Sequence, residues 1–363
     1  MALHDTALTP VHQRLGAFMT DFAGWNMPLR YSSDRAEHEA VRTRAGLFDL
    51  SHMGQIRVRG KDAGAALDHA LVTNPSKMPQ GRARYSLMVN ESGGIMDDLI
   101  VYKDDDEDFL VVANAANRVR VAEQLQSRST DLDVEVDDQT TDRALIACQG
   151  PRSAEIVAAV IDEGDREDFD GLGYYRHAHL HMLGLPVHIA RTGYTGERGY
   201  EIMCEREAAE QLWEALMEAG KKADMLPCGL ASRDTLRLEA GMPLYGHELT
   251  EDTTPAEAGQ GRVPKFDHDF VGRQALESNE PATALYALKG EGRRAARAGC
   301  SILKDGEKLG EITSGVLSPT LGYPIAMALA RPGLAIGDEV TVDVRGKEQT
   351  MTICELPFYK STN

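Results

Sequence analysis

Two adjacent carboxylates, Asp97 and Asp98, lie in the middle of an otherwise apolar stretch, residues 95–102. Side chains on a strand alternate between its faces, so the two carboxylates would point to opposite sides. The neighbours on both faces are apolar, and a carboxylate there needs hydrogen-bond partners or its pKa rises. We expect one structural and one functional aspartate. The alternative is that both cap turns or pair with arginines, because ion-pair networks also perturb carboxyl pKa values.

Two further stretches could contact a small molecule. Residues 192–200 place three glycines among tyrosine, threonine and glutamate side chains, and Glu201 begins the next predicted strand. Arg233 and Arg237 lie four residues apart and share one face of a predicted helix. Either they form a surface salt-bridge ladder with acidic residues of that helix, or one of them reaches a ligand. This composition indicates a site for a polar, aromatic, partly anionic molecule, with carboxylates for positioning and proton transfer.

Histidines at alternate positions, His177, His179 and His181, would share one strand face in steps of about 7 Å. A metal needs ligands that converge at ~2 Å, so one straight strand serves poorly. We interpret these residues as a polar strand face and predict no metal. His52 stands alone among apolar residues, and we expect a hydrogen-bonded core histidine there rather than a metal ligand.

The composition excludes several classes of protein. The chain has 363 residues and a formal net charge of -18, a sign that opposes non-specific binding to nucleic acid. No apolar run reaches the ~18 residues that a membrane span requires, and the first ten residues lack the features of a signal or transit peptide. The five scattered cysteines form no C-x-x-C pair, which suits a reducing compartment. We therefore expect a cytoplasmic protein.

The pattern along the chain predicts an α+β protein. Apolar, β-branched runs bounded by turn residues predict three consecutive strands between Tyr85 and Asn114. A helix is expected from Asp34, as its N-cap, to about Arg44. From about residue 283 short strands and glycine turns follow, the last two strands being predicted over 339–345 and 349–355. We predict a body over residues 1–279 and a separate small β domain over residues 280–363.

Six stretches, in this order, resemble those of one protein family. The resemblance runs from about residue 10 to about residue 360, and the stretches are specific together although each alone is weak. They read DFAGW at 21–25 with MPL at 27–29, GLFDLSHM at 46–53, GGIMDDL at 93–99, RTGYTGE at 191–197, SRDTLRLEAGM at 232–242, and TSG at 313–315 with SPTLG at 318–322. On these residues the chain is similar to the aminomethyltransferases, the T-proteins of the glycine cleavage system.

The resemblance implies a fold and a reaction. The fold is a discontinuous folate-binding body of antiparallel sheets and helices, in two interleaved subdomains, with a C-terminal β-barrel around a central cavity. The substrate is an aminomethyl group held as a thioether on the lipoyl arm of the H-protein, the implied partner. Tetrahydrofolate, the co-substrate, accepts the methylene. The products are ammonia, 5,10-methylenetetrahydrofolate and dihydrolipoyl H-protein, in a step of glycine catabolism.

The resemblance also implies roles for individual residues. Asp98 is the catalytic residue beside the reacting folate nitrogens, where a carboxylate suits the positive charge that develops. Glu201 would hydrogen-bond the donor edge of the pterin, and Arg233 would lie near the active site. The remaining implied folate contacts are Tyr85, Asn114, Tyr194 and Tyr174.

Two other functions compete with this one. A sister folate-dependent demethylase of a methylated small molecule would share the cavity and differ on the donor side. A non-catalytic folate-binding scaffold, like the family's relatives in iron–sulfur assembly, would carry a Lys-Gly-Cys-Tyr stretch, whereas residues 263–273 contain no cysteine. Because the H-protein of that family is also acidic, we further expect a local patch of Lys and Arg around the cavity mouth.

Overall fold

The computed structural model describes residues 3–344 and 346–362. The helices are α1 (Thr9–Arg14), α2 (Asp34–Thr43), α3 (Ala63–Ala70), α4 (Arg118–Ser127), α5 (Ser153–Ala158), α6 (Arg166–Asp170), α7 (Ala209–Ala219), α8 (Leu230–Glu239) and α9 (Arg273–Ser278). The strands up to α8 are β1 (His4–Asp5), β2 (Phe18–Phe22), β3 (Trp25–Arg30), β4 (Gly46–Asp49), β5 (Gly54–Arg59), β6 (Arg82–Val89), β7 (Ile95–Lys103), β8 (Asp108–Ala113), β9 (Glu135–Asp138), β10 (Arg143–Gln149), β11 (His177–Met182), β12 (Leu185–Ala190), β13 (Gly199–Glu205) and β14 (Leu226–Pro227). The strands after α9 are β15 (Ala284–Gly290), β16 (Ser301–Lys304), β17 (Glu307–Leu317), β18 (Pro324–Ala330), β19 (Glu339–Asp343) and β20 (Glu348–Cys354).

Two sheets form the body. One has five strands in the order β6-β7-β8-β5-β9, and the other has six in the order β11-β12-β13-β10-β4-β14. Apolar side chains of α3 and α4 pack on the first sheet, and those of α5 and α7 pack on the second. A further core joins the sheets, with Tyr102 and Leu110 from one and Leu145 and Met203 from the other. The predicted meander of three strands is confirmed as β6, β7 and β8.

The C-terminal strands close into a six-stranded barrel in the order β15-β18-β17-β16-β19-β20. Its interior is filled by aliphatic side chains such as Leu288, Ile302 and Ile353. The predicted α+β class with a C-terminal barrel is therefore confirmed. We keep the division at residues 279 and 280 as a proposal; α9 ends at Ser278 and β15 begins at Ala284.

Some boundaries differ from the sequence-based expectation. The N-cap of α2 is Ser33 rather than Asp34, because the Ser33 hydroxyl accepts a hydrogen bond from the Ala36 backbone N–H at 3.2 Å. The strand predicted over 339–345 ends at Asp343, and Arg345 lies outside the described residues. In the part of the chain that the structure describes, no helix is long and apolar enough to cross a membrane.

Candidate active site

A cavity of about 280 Å³ is lined by strands of both body sheets, by α8 and by the segment 241–245 that follows it. This volume lies near the lower end of the ~300–1,000 Å³ typical of small-molecule sites. Six of the seven residues that the family resemblance indicates line it. They are Tyr85, Asp98, Asn114, Tyr194, Glu201 and Arg233.

Asp98 is partly exposed to this cavity and is held by two donors. On the paired strands β6 and β7, Tyr85 lies opposite Ile100, which makes it a diagonal neighbour of Asp98 on the same sheet face. The Tyr85 hydroxyl donates to Asp98 Oδ2 at 3.2 Å. Asn114, the first residue after β8, donates from Nδ2 to Asp98 Oδ1 at 2.7 Å. Each carboxylate oxygen therefore has one partner that orients it.

Asp97, unlike Asp98, is fully buried. Its Oδ2 accepts the Asn114 backbone N–H at 3.0 Å, and its Oδ1 accepts Asn114 Nδ2 at 2.9 Å and Asn117 Nδ2 at 2.7 Å. The partners of this aspartate are thus asparagines rather than arginines. Asp97 fixes the connection between β8 and α4, and with it the amide that holds Asp98.

Burial raises the pKa of both aspartates. Loss of water is the largest cause for Asp97, and the charge of Asp98 raises its pKa further. For Asp98, burial again raises the pKa, while the hydrogen bonds from Asn114 and Tyr85 and the positive charge of Arg233 oppose that shift. A carboxyl group with a raised pKa exchanges protons closer to neutral pH than an ordinary one does. Asp98 thus has the electrostatic setting of an acid–base group.

Glu201 reaches the cavity from β13 and is buried. Its Oε2 accepts hydrogen bonds from the hydroxyl groups of Thr192 and Tyr102. Among the described residues, its Oε1 has no hydrogen-bond partner. Burial raises the pKa of Glu201, and the Thr192 hydrogen bond and the charge of Arg233 oppose that shift. One carboxylate oxygen is therefore available to a donor in the cavity.

The glycine-rich loop between β12 and β13 wraps closely around Gln149, the last residue of β10. A Cβ atom at Gly193 would lie 2.1 Å from Gln149 Oε1, and one at Gly199 would lie 2.2 Å from Gln149 Cδ. A Cβ atom at either position would displace the Gln149 side chain from its hydrogen bonds with Thr192 and Thr195, so glycine suits both positions. The close approach carries Tyr194 into the cavity wall, where its hydroxyl donates to the Pro243 carbonyl oxygen.

The two arginines of α8 have different surroundings. The Arg233 guanidinium carbon lies 4.7 Å from the centre of the Tyr194 ring, and this side chain makes no hydrogen bond or ion pair with another described residue. Arg237 is buried and donates to Asp234 Oδ1 at 2.8 Å and to Ser314 Oγ on the barrel at 2.8 Å. The expected salt bridge forms between Arg237 and Asp234, but Arg237 is buried rather than part of a surface ladder. Arg233 is free to meet a ligand.

The structure does not bring Tyr174 into the cavity. Its side chain is 65% exposed and lines a neighbouring surface pocket with Arg191 and Arg198. The adjacent Tyr175 lines the cavity instead. The chain turns at Tyr175, whose φ is +55°, and only one of the two adjacent rings faces inward. The expected wall from this stretch is therefore Tyr175 rather than Tyr174.

His52 is buried, but the expectation of a hydrogen-bonded core histidine is wrong. Within the described residues, neither of its ring nitrogens has a hydrogen-bond partner. Its ring packs edge-on against Phe22 at 5.5 Å between centroids. Burial is the largest cause that lowers its pKa to about 3, and the charge of Arg233 contributes. The ring is therefore neutral at pH 7.

Several lining residues were not predicted. The segment 241–245 crosses the cavity directly after α8, and Gln260 lines it from a more distant loop. A signal for the segment exists, since Gly241 has a φ of +68° and Pro243 follows, a combination that ends a helix and redirects the chain. Gln260 has no comparable local signal.

Comparisons with known proteins cover nearly the whole chain. Residues 8–268 match the family model of the GCVT N-terminal domain, and residues 284–360 match that of the glycine cleavage T-protein C-terminal barrel domain. The chain is 53% identical to the aminomethyltransferase of Cutibacterium acnes over 367 residues, 99% of this chain and 99% of that one. It is 43% identical to the aminomethyltransferase of Thermotoga maritima over 360 residues, 98% of each chain.

A solved structure has the same fold. The crystal structure of the glycine cleavage system aminomethyltransferase T from Bartonella henselae superposes with a TM-score of 0.91 and 34% sequence identity, covering 99% of each chain. The chain belongs to the glycine cleavage T-protein family. The predicted function as an aminomethyltransferase is thereby confirmed.

Proposed function

We propose that the cavity binds tetrahydrofolate and that the chain transfers to it the methylene of an aminomethyl group on the lipoyl arm of the H-protein. Ammonia and the thiol of the lipoyl arm leave, and 5,10-methylenetetrahydrofolate forms. One observation carries this proposal. Asp98, with its raised pKa, shares one cavity with the available carboxylate oxygen of Glu201 and with Arg233, a cation that forms no hydrogen bond or ion pair with another described side chain.

Binding of the folate rests on aromatic walls and a few polar groups. Tyr85, Tyr175 and Tyr194 supply rings that can flank a flat pterin. Glu201 Oε1 accepts from the amino edge of the pterin. The positive charge of Arg233 offsets the negative charge of the cavity. As a result, burial raises the pKa of Asp98 and of Glu201 less than it otherwise would. We leave Tyr174 out of the folate contacts, since its ring faces solvent.

Asp98 assists the chemical step through its charge. Positive charge develops on a folate nitrogen as that nitrogen bonds to carbon, and a nearby carboxylate stabilises it. Asn114 and Tyr85 hold the carboxylate in one orientation, so it needs no reorganisation as the reaction proceeds. Attraction between charges is several times stronger in a partly buried site than in water. The same carboxylate can accept the proton that the nitrogen loses.

We further propose that the lipoylated H-protein docks along the barrel. A groove there is lined by exposed basic side chains, namely Arg293, Arg294, Arg297 and Lys347. At Ala298 the groove meets a pocket that includes Gly246, the neighbour of the cavity residue Tyr245. A basic groove beside the cavity suits an acidic partner. Added salt and the R294Q and R297Q substitutions should weaken H-protein binding, and binding indifferent to both would contradict this docking surface.

The cysteines bear on the compartment. All five are free, and Cys148, Cys204 and Cys228 are buried. Burial is the largest cause that raises the pKa of each of these three thiols, so they stay protonated. Free thiols persist in a reducing environment. We propose a cytoplasmic location on this ground.

The reaction itself is the test. Purified protein is mixed with tetrahydrofolate and aminomethylated H-protein, and ammonia and 5,10-methylenetetrahydrofolate are measured. The proposal expects the two products in equal amounts, and only when all three components are present. A parallel series replaces the H-protein with small methylated amines. Turnover of the amines alone, or folate binding without ammonia release from the H-protein, would favour the demethylase or the scaffold.

A further inference from the structure

A second cluster of polar side chains lies between the loop after β7 and the β11–β12 hairpin, and none of its members lines the cavity. The strand register sets His179 opposite His188, and Asp104 is the first residue after β7. One nitrogen or oxygen atom from each of these three residues lies within 4.8 Å of the other two. We propose that Asp104, His179 and His188 bind a divalent transition metal ion such as Zn²⁺, with His177 beside them.

One pair of the proposed ligands, Asp104 and His179, is already in contact, and His177 contacts both Asp104 and the third ligand, His188. Asp104 Oδ1 lies 2.7 Å from His179 Nε2 and 3.5 Å from His177 Nδ1. His177 Nδ1 lies 2.7 Å from His188 Nε2. Two ligand atoms at ~2.0–2.1 Å from a tetrahedral ion are about 3.3 Å apart. The rings of His179 and His188 are stacked with their centroids 4.5 Å apart, so a reorientation of these rings would admit an ion where hydrogen bonds now join the residues.

The donor set also has the right chemistry. His188 is buried, as is the neighbouring His177, whereas His179 is exposed. Neutral imidazoles with a carboxylate are ligands that Zn²⁺ prefers.

A second layer of contacts orients the carboxylate. Arg57, on β5, donates from Nη2 to Asp104 Oδ2, which leaves Oδ1 facing the histidines. Groups behind the ligands commonly fix their orientation in this way. The loop after β7 belongs to the five-stranded sheet and the hairpin to the six-stranded sheet. A bound ion would thus link the two sheets of the body.

The three alternating histidines differ in their surroundings, since His177 is buried whereas His179 and His181 are exposed. A straight strand alone cannot assemble a metal site, and His181 indeed pairs elsewhere, with its Nδ1 2.9 Å from Asp165 Oδ2. Convergence comes from His188 on the paired strand and Asp104 on a distant loop. His188 and Asp104 do not form a recognisable metal-binding motif with His179 in the sequence.

A matched pair of variants tests the site. H179Q and H181Q alter the same strand at side chains that are 59% and 56% exposed, each beside a single carboxylate. Untagged, chelator-treated full-length protein is titrated with Co²⁺, followed by visible absorption, and with Zn²⁺, followed by metal content after gel filtration. We expect one ion per chain in the wild type and in H181Q. H179Q should bind at least tenfold more weakly, which is the effect of losing one ligand.

Thermal melting supplies a second readout that does not depend on activity. Zn²⁺ should raise the Tm of the wild type and of H181Q more than that of H179Q, because a ligand bound only to the folded state stabilises it. If H179Q fails to fold, D104N takes its place. A wild type that retains no stoichiometric ion, or equal weakening in H179Q and H181Q, overturns the proposal.

Discussion

The side-chain nitrogen of Asn114 lies 2.7 Å from Asp98 Oδ1, and the same nitrogen lies 2.9 Å from Oδ1 of the neighbouring Asp97. One amide therefore connects the buried aspartate to the aspartate that faces the cavity. Asp97 also accepts from the Asn114 backbone and from Asn117, so it anchors the residue that orients Asp98. Alternation of side chains along β7 lets two adjacent carboxylates take these different positions.

Asn114 and Asn117 offer a matched comparison. Both donate to Asp97, but only Asn114 also donates to Asp98. Each alanine substitution should lower the free energy of unfolding by ~1–3 kcal/mol, because buried Asp97 loses a donor. N114A should in addition lower kcat by roughly 10- to 100-fold, which corresponds to the ~1.5–3 kcal/mol of a hydrogen bond to a charged group. Urea unfolding and steady-state kinetics measure the two effects, and equal loss of kcat in both variants would contradict the assignment.

The pH profile should report Asp98. Burial raises its pKa above the ordinary value, and the carboxylate is the active form. Activity should therefore rise with pH through this raised pKa and be lost below it, with an acid limb well above the ~3.9 of a free aspartate. Replacing Arg233 with Met should move the limb to higher pH, since the positive charge of Arg233 lowers the pKa of Asp98. The measurement is kcat/KM across pH at constant ionic strength; an acid limb near pH ~4 in the wild type, or one that does not move in R233M, would count against this account.

Substitutions of the two arginines of α8 should have different effects, one on the stability of the protein and the other on folate binding. Arg237 pairs at 3.0 Å with Glu248, whose side chain is fully buried. R237M should lower the free energy of unfolding by ~3–5 kcal/mol, because it leaves that carboxylate buried and unpaired. R233M breaks no ion pair with a described residue, so it should change the free energy of unfolding by about 1 kcal/mol or less. The same variant should bind tetrahydrofolate more weakly. Chemical denaturation and folate titration check the pair, and the reverse pattern would refute the division.

Glu201 and Glu205 lie on the same strand, β13. Glu201 Oε1 is available in the cavity, whereas Glu205 is exposed and pairs with Arg143 at 2.7 Å. E201Q should raise the Kd for tetrahydrofolate roughly 10- to 100-fold through loss of a charged acceptor, and E205Q should leave it unchanged. Anaerobic calorimetric titration measures both. An unchanged Kd in E201Q would remove Glu201 from the folate contacts.

Local pattern predicted the three strands that bring Tyr85, Asp98 and Asn114 together, whereas the family resemblance supplied their roles. Tyr85, Asp98 and Asn114 come from a single meander, where short turns and antiparallel pairing decide which side chains become neighbours. Glu201 and Arg233 belong to distant elements, and only the family resemblance indicated that they share a site with Asp98. Pairing over such sequence separations is not encoded in any local spacing.

Other features depended on details that no pattern reveals. Whether Tyr174 or Tyr175 faces inward is decided by a left-handed backbone conformation at Tyr175. The unpartnered ring of His52 and the approach of Asp104 to His188 likewise result from tertiary packing. The strands of the C-terminal domain, by contrast, were predictable from short β-rich runs and glycine turns. Their closure into a barrel was implied only by the family resemblance, because three of the six strand pairs, β15–β18, β16–β19 and β15–β20, join strands that are not consecutive in the sequence.

The most direct test of the account is the turnover of D98N measured beside its folate affinity. Asp137 is exposed on β9, and D137N, which makes the same change of charge, serves as the control. The account predicts that D98N loses at least ~100-fold in kcat, as expected for an acid–base group, while its Kd for tetrahydrofolate stays within a few-fold of the wild type and D137N is normal. Wild-type turnover in D98N would contradict the central role of Asp98.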